Sequence, residues 1–255
     1  MQVPAFEAVI FDMDGVITKT AITHAAAWKK MFDEYLQKWA TLHNEIFVEF
    51  TQNDYLAYVD GKPRYKGVAS FLESRDIHLP FGDPSDKAGE ETICGLGNRK
   101  NDSFNEVIAR DGVEVYESTA KLLEELKNAG IKLGVASSSN NCVTVLEAVD
   151  MLKLFGARVD GVVSAELGLH GKPEPDIFAT ACQILGSTPA KSIVVEDAVS
   201  GVQAGAKGKF GLTLGIARED NEKELAENGA DFVVTDLSEI HGIKGLNELF
   251  LKKNS

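Results

Sequence analysis

The sequence predicts an α/β protein built on a doubly wound parallel sheet, with an α-helical cap domain inserted after the first strand. Three observations carry this reading. Short, continuously apolar runs of three to five residues recur along the chain, separated by segments of helical periodicity. Gly and Pro punctuate the changes. Residues 20–109 break the rhythm and show helical spacing alone. Continuous rather than alternating apolar runs mark strands buried on both faces, as a helix-covered parallel sheet requires.

The first strand spans residues 7–11 and contains Ala8-Val9-Ile10-Phe11. It runs straight into Asp12-Met13-Asp14-Gly15-Val16. Residues i and i+2 of an extended segment point to the same side, roughly 6.6 Å apart along the strand. Asp12 and Asp14 therefore face one site where Gly15 lets the backbone turn. Like charges that close repel, and a cation, a proton or a reaction has to balance them. One carboxylate as nucleophile and its neighbour as general acid/base would be such a use.

Between residues 20 and 109, Trp28, Met31, Phe32, Tyr35, Leu36 and Trp39 recur at helical spacing, and no buried-strand run follows until the sheet resumes. This stretch is read as a helical domain whose aromatic stripe forms its own core. Residues 1–19 and 110–255 make up the α/β domain. Thr18-Lys19 and Arg110–Gly112 are the hinge candidates.

Leu122, Leu123 and Leu126 then mark a helix stopped by Gly130 in the C′ position. Lys132-Leu133-Gly134-Val135-Ala136 is the next strand, followed by the polar turn Ser137-Ser138-Ser139-Asn140-Asn141 and a helix over Cys142–Val149. Gly161-Val162-Val163-Ser164 is expected to be a strand. Pro175 opens a helix carrying Ile177, Phe178, Ala181, Ile184 and Leu185, which Gly186 closes. Ser192-Ile193-Val194-Val195 is a strand ending in the acidic pair Glu196-Asp197. After a short Ala/Gly-rich helix, Leu212–Ile216 and Phe232-Val233-Val234 complete the series.

The 255 residues carry 39 acidic against 26 basic side chains, a net charge of -13. That balance argues against nucleic-acid or anionic-membrane partners. Cys94, Cys142 and Cys182 share no metal-ligand spacing and read as reduced thiols. The N-terminal residues lack a signal-peptide pattern, and no apolar run approaches the roughly 20 residues of a membrane span. A cytoplasmic, monomeric protein is expected. His43, His78, His170 and His241 have no partners at ligand spacing.

Ligands of parallel α/β sheets bind beyond the carboxyl ends of the strands. Asp12 and Asp14, Ser137 with its loop, and Glu196-Asp197 all stand at such ends, and Lys172 lies in the loop before the Pro175 helix. A nucleophilic carboxylate, a hydroxyl, a lysine and a second acidic pair make a coherent phosphoryl-transfer site. Oxygen ligands from Asp12 and Asp197 suit Mg²⁺, while Ser137 and Lys172 would hold the phosphoryl oxygens.

These four ordered motifs resemble those of the haloacid dehalogenase superfamily along essentially the whole chain. The resemblance implies a Rossmann-like core, Asp12 as phospho-aspartyl nucleophile and Asp14 as general acid/base. It places Mg²⁺ on the Asp12 carboxylate, the Asp14 carbonyl and Asp197, with Glu196 close by. Asp14 points to the phosphotransferase branch, because the dehalogenases lack it.

Within the superfamily, Thr18-Lys19-Thr20-Ala21, His24 and Trp28 resemble the entry into the cap of the β-phosphoglucomutase group. Arg99-Lys100-Asn101-Asp102 resembles the segment whose lysine meets the sugar. Arg64, in Gly61-Lys62-Pro63-Arg64, falls where that group binds the non-transferring phosphate, and Ser138, Ser139, Asn140 and Asn141 lie where the core loop completes that clamp. A small sugar phosphate is the implied substrate, and interconversion of β-glucose 1-phosphate and glucose 6-phosphate the implied reaction. Two positions depart from the pattern: Lys19 replaces an acidic residue and Asn140 a lysine. The stretch from Asn53 to Asp86 is also longer than usual. A sugar-phosphate phosphatase, with water attacking phospho-Asp12, is the alternative; a binding module without catalysis would not need every core motif.

Overall fold

The computed structural model describes residues 4–255. The chain divides into two compact units, one formed by Val113–Ser255 with the described residues of Met1–Lys19, the other by Thr20–Gly112. In the first unit, six strands form one parallel sheet: β1 (Ala8–Phe11), β2 (Lys132–Ala136), β3 (Ala157–Val159), β4 (Ser192–Glu196), β5 (Leu212–Ile216) and β6 (Phe232–Val234). Their order is β3-β2-β1-β4-β5-β6, every pairing parallel. The order reverses between β1 and β4, and this switch point is where an open α/β sheet leaves a crevice for ligands.

Residues of β1, β4 and β5 are buried throughout, whichever face they point to. Ile10 and Val194 join a core with Phe178 and Phe210, while Val9, Phe11 and Val135 alternate to the other side and are equally buried. Each such side chain contributes roughly 1.5–3 kcal/mol when fully buried, so the sheet is covered on both faces, as the uninterrupted apolar runs predict.

In the Thr20–Gly112 unit, α1 (Thr20–His43) is followed by the single turn α2 (Gln52–Asp54), a π-helical turn at Tyr55–Val59, α3 (Arg64–Ser74) and α4 (Ile93–Asp111). Both α1 and α3 pack on α4. Trp28, Met31, Phe32, Tyr35 and Leu36 of α1 form one buried stripe, and Phe32 meets Phe71 at 4.3 Å between ring centroids. Phe50 stands edge-on to Phe71 at 4.8 Å. The aromatic periodicity is therefore the core of this unit. Thr51 and Asp54 form a reciprocal capping box that starts α2 after an extended stretch.

The remaining helices belong to the α/β unit: α5 (Glu117–Asn128), α6 (Cys142–Ala148), α7 (Gly161–Glu166), α8 (Asp176–Ile184), α9 (Val199–Lys207), α10 (Glu222–Glu227) and α11 (Gly242–Lys253). α8 packs on β1, β2 and β3, α9 on β4 and β5, and α11 on α5 and β5. Gly130 and Gly186 follow α5 and α8 with φ of 73° and 61°, the left-handed stop expected of a C′ glycine.

One element differs from the sequence expectation. Gly161–Ser164 is not a strand; it opens α7, and the strand is Ala157–Val159 just before it. A run this short, with only Val162 and Val163 as large apolar residues, has no periodicity that separates strand from helix. Asp160 decides the matter locally, because its carboxylate accepts from the Val162 and Val163 amides at 3.1 and 3.0 Å and so caps a helix. Pro175 likewise stands immediately before α8 rather than within it.

Candidate active site

β1 delivers Asp12 to the switch point. The register Phe11↔Val195 continues one step as the Asp12 amide donates to the Val195 carbonyl at 2.9 Å, which sets Asp12 level with Glu196. Both side chains are buried, Asp12 at 5% exposure and Glu196 at 0%. Oxygens of Asp12, Glu196 and Asp197 lie within 4.8 Å of one another.

Lys172 stands between the carboxylates. Its Nζ donates to Asp12 Oδ1 and, at 2.6 Å, to Glu196 Oε2. Burial disfavours the ammonium, but Asp12 and Glu196 outweigh burial and hold its pKa above the ordinary lysine value. For Asp12 the balance runs the other way. Burial, then repulsion from Glu196, raise its pKa well above the usual aspartate value against the pull of Lys172, and Asp14 adds to the rise. One lysine does not neutralise this cluster.

Glu196 is fully engaged. Besides Lys172 at Oε2, its Oε1 accepts from the Asp197 and Ala198 amides at 3.2 and 3.1 Å, just ahead of the N-terminus of α9, where negative charge is favoured. Gly201 leaves room for it, since a Cβ there would meet Glu196 Oε2 at 2.0 Å. Asp12 retains Oδ2, and Asp197 stands against Gly15. The donor set is hard carboxylate oxygen with net negative charge, and it fits Mg²⁺.

The turn after Asp12 is closed by its own backbone. The Ile17 and Thr18 amides donate to the Met13 carbonyl at 2.9 and 3.0 Å, and the Gly15 amide donates to the Thr18 carbonyl at 2.8 Å. Gly15 has φ of 84°, and a Cβ there would stand 1.7 Å from Asp197 Oδ2. Only glycine permits both the left-handed turn and this approach. The Asp14 side chain is half-buried on this turn.

Ser137 follows β2, 1% exposed, its amide bonded to the Val159 carbonyl at 3.1 Å. The loop beyond it folds by local hydroxyl bonds: Ser137 Oγ accepts from the Ser139 amide and Ser139 Oγ from the Asn141 amide, each at 3.1 Å. Ser138, Ser139 and Asn141 are half-buried, and Asn140 is exposed with its amide oxygen over Gly161.

The helical unit gathers a second set. Lys100, 3% exposed, bonds to His24 Nδ1 and lies 5.1 Å from the Trp28 ring centre. His24 stacks on Phe104 at 3.9 Å. Thr20 is buried at the start of α1. Arg64 begins α3, its stem against Gly97, one helical turn from Lys100, and its buried Nε has no partner among the described residues. Lys19, in the α/β unit, pairs with Glu114 at 2.7 Å.

The structure adds residues that sequence reasoning did not single out. Asp160, wholly buried and paired with Arg158, lies just before Gly161, whose amide donates to the Ser139 carbonyl at 3.1 Å; its signal was the helix-capping residue type. Arg218, just past β5, donates through Nε to the Gly15 carbonyl at 2.9 Å, a contact with no local signature.

Comparison with known proteins follows the same lines. A family described as haloacid dehalogenase-like hydrolase matches residues 6–209. A β-phosphoglucomutase of Mycobacterium tuberculosis is 46% identical over 237 residues, spanning 91% of this chain and 90% of that protein. A β-phosphoglucomutase of Bacillus subtilis is 34% identical over 236 residues, 92% and 91% of the two chains. In fold, the crystal structure of β-phosphoglucomutase from Clostridium difficile aligns with a TM-score of 0.77 over 97% of this chain and 98% of that chain, at 23% identity.

Proposed function

Because this chain belongs to the haloacid dehalogenase-like hydrolase family, as an enzyme of that family, we propose that it moves a phosphoryl group through Asp12 and interconverts β-glucose 1-phosphate and glucose 6-phosphate. The observation that carries the chemistry is the buried Lys172 held between Asp12 and Glu196, with Asp197 within 4.8 Å. The mycobacterial and Bacillus relatives, which carry the β-phosphoglucomutase name, support the substrate.

Asp12 Oδ2 attacks phosphorus, and the bond from phosphorus to the sugar oxygen breaks. Asp14 gives that oxygen a proton. With the phospho-aspartate formed from glucose 1,6-bisphosphate, the O6 hydroxyl of an incoming β-glucose 1-phosphate attacks it while Asp14 takes the hydroxyl's proton back. This regenerates the Asp12 carboxylate and gives the bisphosphate, whose 1-phosphate passes to Asp12 next to leave glucose 6-phosphate. Lys172 orients Asp12 and, with Ser137, holds phosphoryl oxygens as charge redistributes. Mg²⁺, held by Asp12, Asp197 and the Asp14 carbonyl, would supply charge neutralisation between carboxylate and phosphate. Glu196 keeps Lys172 in place. Arg64, Lys100 and His24 would bind the sugar and the phosphate that is not transferred, together with Thr20, Trp28 and the 138–141 loop.

A phosphatase is the second reading. Asn140 stands where the mutase group has a lysine, so the second phosphate has one fewer cation to hold it. One assay separates the two: β-glucose 1-phosphate, Mg²⁺ and catalytic glucose 1,6-bisphosphate are incubated with the enzyme. Glucose 6-phosphate in excess over free phosphate supports the mutase. Free phosphate alone replaces it with the phosphatase.

A further inference from the structure

The turn that carries Asp14 is held from outside the four motifs. Arg218, two residues beyond β5, donates through Nε to the Gly15 carbonyl at 2.9 Å and through Nη1 to the Thr235 carbonyl at 3.0 Å. Its guanidinium carbon lies 3.6 Å from the centre of the Tyr116 ring, stacking range for a delocalised cation. Asp236 adds a carboxylate at 3.7 Å. One planar group thus joins the Asp14 turn, the ends of β5 and β6, and the stretch by which the chain re-enters the α/β unit.

That stretch is itself fastened to the turn. The Tyr116 amide donates to the Ile17 carbonyl at 3.0 Å and the Lys19 amide to the Glu114 carbonyl at 2.8 Å, while Thr119 Oγ1 donates to the Val16 carbonyl at 2.7 Å. The Gly15 carbonyl is the member of this turn that Arg218 takes. Gly15, with φ of 84°, immediately follows Asp14, so a rotation there would swing the Asp14 carboxylate.

We infer that Arg218 is a positioning residue for phosphoryl transfer: through the Gly15 carbonyl, and braced on Tyr116, it fixes the turn that aims Asp14 at the leaving-group oxygen. This rests on the proposed role of Asp14 as general acid/base. Arg218 is not assigned a contact with substrate. A displacement of about 1 Å in a catalytic group is enough to cost on the order of 100-fold in rate.

Arg218→Met removes the fork and keeps much of the side-chain volume, whereas Arg218→Lys keeps charge and one donor. Two substrates are compared, an alkyl phosphate whose leaving oxygen needs a proton and 4-nitrophenyl phosphate whose leaving group does not. Arg218→Met is expected to lower kcat on the alkyl ester by about 10- to 100-fold at nearly unchanged KM, with a clearly smaller loss on the aryl ester; Arg218→Lys falls between. Amide hydrogen exchange at Gly15, Thr18 and Tyr116 should quicken while β4 and β5 stay protected. Should Arg218→Met not fold, Tyr116→Leu, which removes the stacking face alone, is expected to give the same pattern more weakly. Equal losses on both esters, or unchanged exchange at the turn, overturn the positioning role and leave the phosphoryl-transfer reading standing. A wild-type enzyme that turns over neither ester and forms neither glucose 6-phosphate nor free phosphate from β-glucose 1-phosphate overturns both.

Discussion

Lys172 donates to Glu196 Oε2 at 2.6 Å with both side chains 1% exposed, and the same ammonium holds Asp12. Asp12, the proposed nucleophile, is therefore oriented by a cation that is itself anchored on a neighbouring strand. Removing one member of a buried charge cluster typically costs about 3–5 kcal/mol, because the partners stay buried and uncompensated. Lys172→Ala is expected to lower stability by that order in urea unfolding and to abolish turnover. Added Mg²⁺ should restore activity only in part; full recovery at high Mg²⁺ would reduce Lys172 to a bystander.

Burial and Glu196 raise the Asp12 pKa, and this sets a pH dependence with a definite sign. The folded chain keeps the Asp12 proton to higher pH than the unfolded chain. The stability this provides is complete below the unfolded value and is lost as pH rises through the folded one. A cation on Asp12 competes with that proton. The increase in Tm produced by Mg²⁺ should therefore grow as pH rises beyond the ordinary aspartate range, and Asp12→Asn should flatten it. A pH-independent Mg²⁺ effect in the wild type would place the cation elsewhere.

Asp14→Ala should spare Mg²⁺ binding, since only the backbone carbonyl of Asp14 is proposed as a ligand. It should slow transfer from alkyl phosphates by roughly 10²–10⁴-fold, the usual worth of a general acid–base group. Activated aryl phosphates should lose much less. Isothermal titration with Mg²⁺ beside the two rate measurements tests both halves.

Gly15→Ala places a methyl group against Asp197 Oδ2 at a backbone φ of 84°. The left-handed conformation alone costs roughly 1–2 kcal/mol for a residue with a Cβ, and the carboxylate has to move. Weaker Mg²⁺ binding and a lower Tm are expected together. An unchanged Mg²⁺ affinity would mean that Asp197 is not a ligand.

Arg64 variants test isomerisation against hydrolysis. Its proposed contact with the second phosphate is charge-assisted and worth roughly 1.5–3 kcal/mol. Arg64→Ala should cut glucose 6-phosphate formation by about 10- to 150-fold and leave acetyl phosphate hydrolysis nearly intact. His24→Ala and Lys100→Ala should show the same bias. If all three variants form glucose 6-phosphate at the wild-type rate, the mutase assignment fails.

What the sequence determined by itself was the class of fold and the order along the chain of the acidic pairs at its strand ends. Continuous β-branched runs such as Ile193-Val194-Val195, recurring between helical segments, together favour doubly covered parallel strands, and the acidic pairs at their ends lie where such sheets bind ligands. The helical stripe from Trp28 to Leu36 announced its own core for the same reason, since periodicity is local information. Gly161–Ser164 escaped it because so short a run carries no period, and the cap at Asp160 outweighed its two valines. Only the tertiary structure decided that Lys172 would lie between Asp12 and Glu196, and that Arg218 would reach Gly15 across more than two hundred residues of chain. Contacts of that kind depend on how β1, β4 and β5 align side by side, and no spacing within a single segment encodes that alignment.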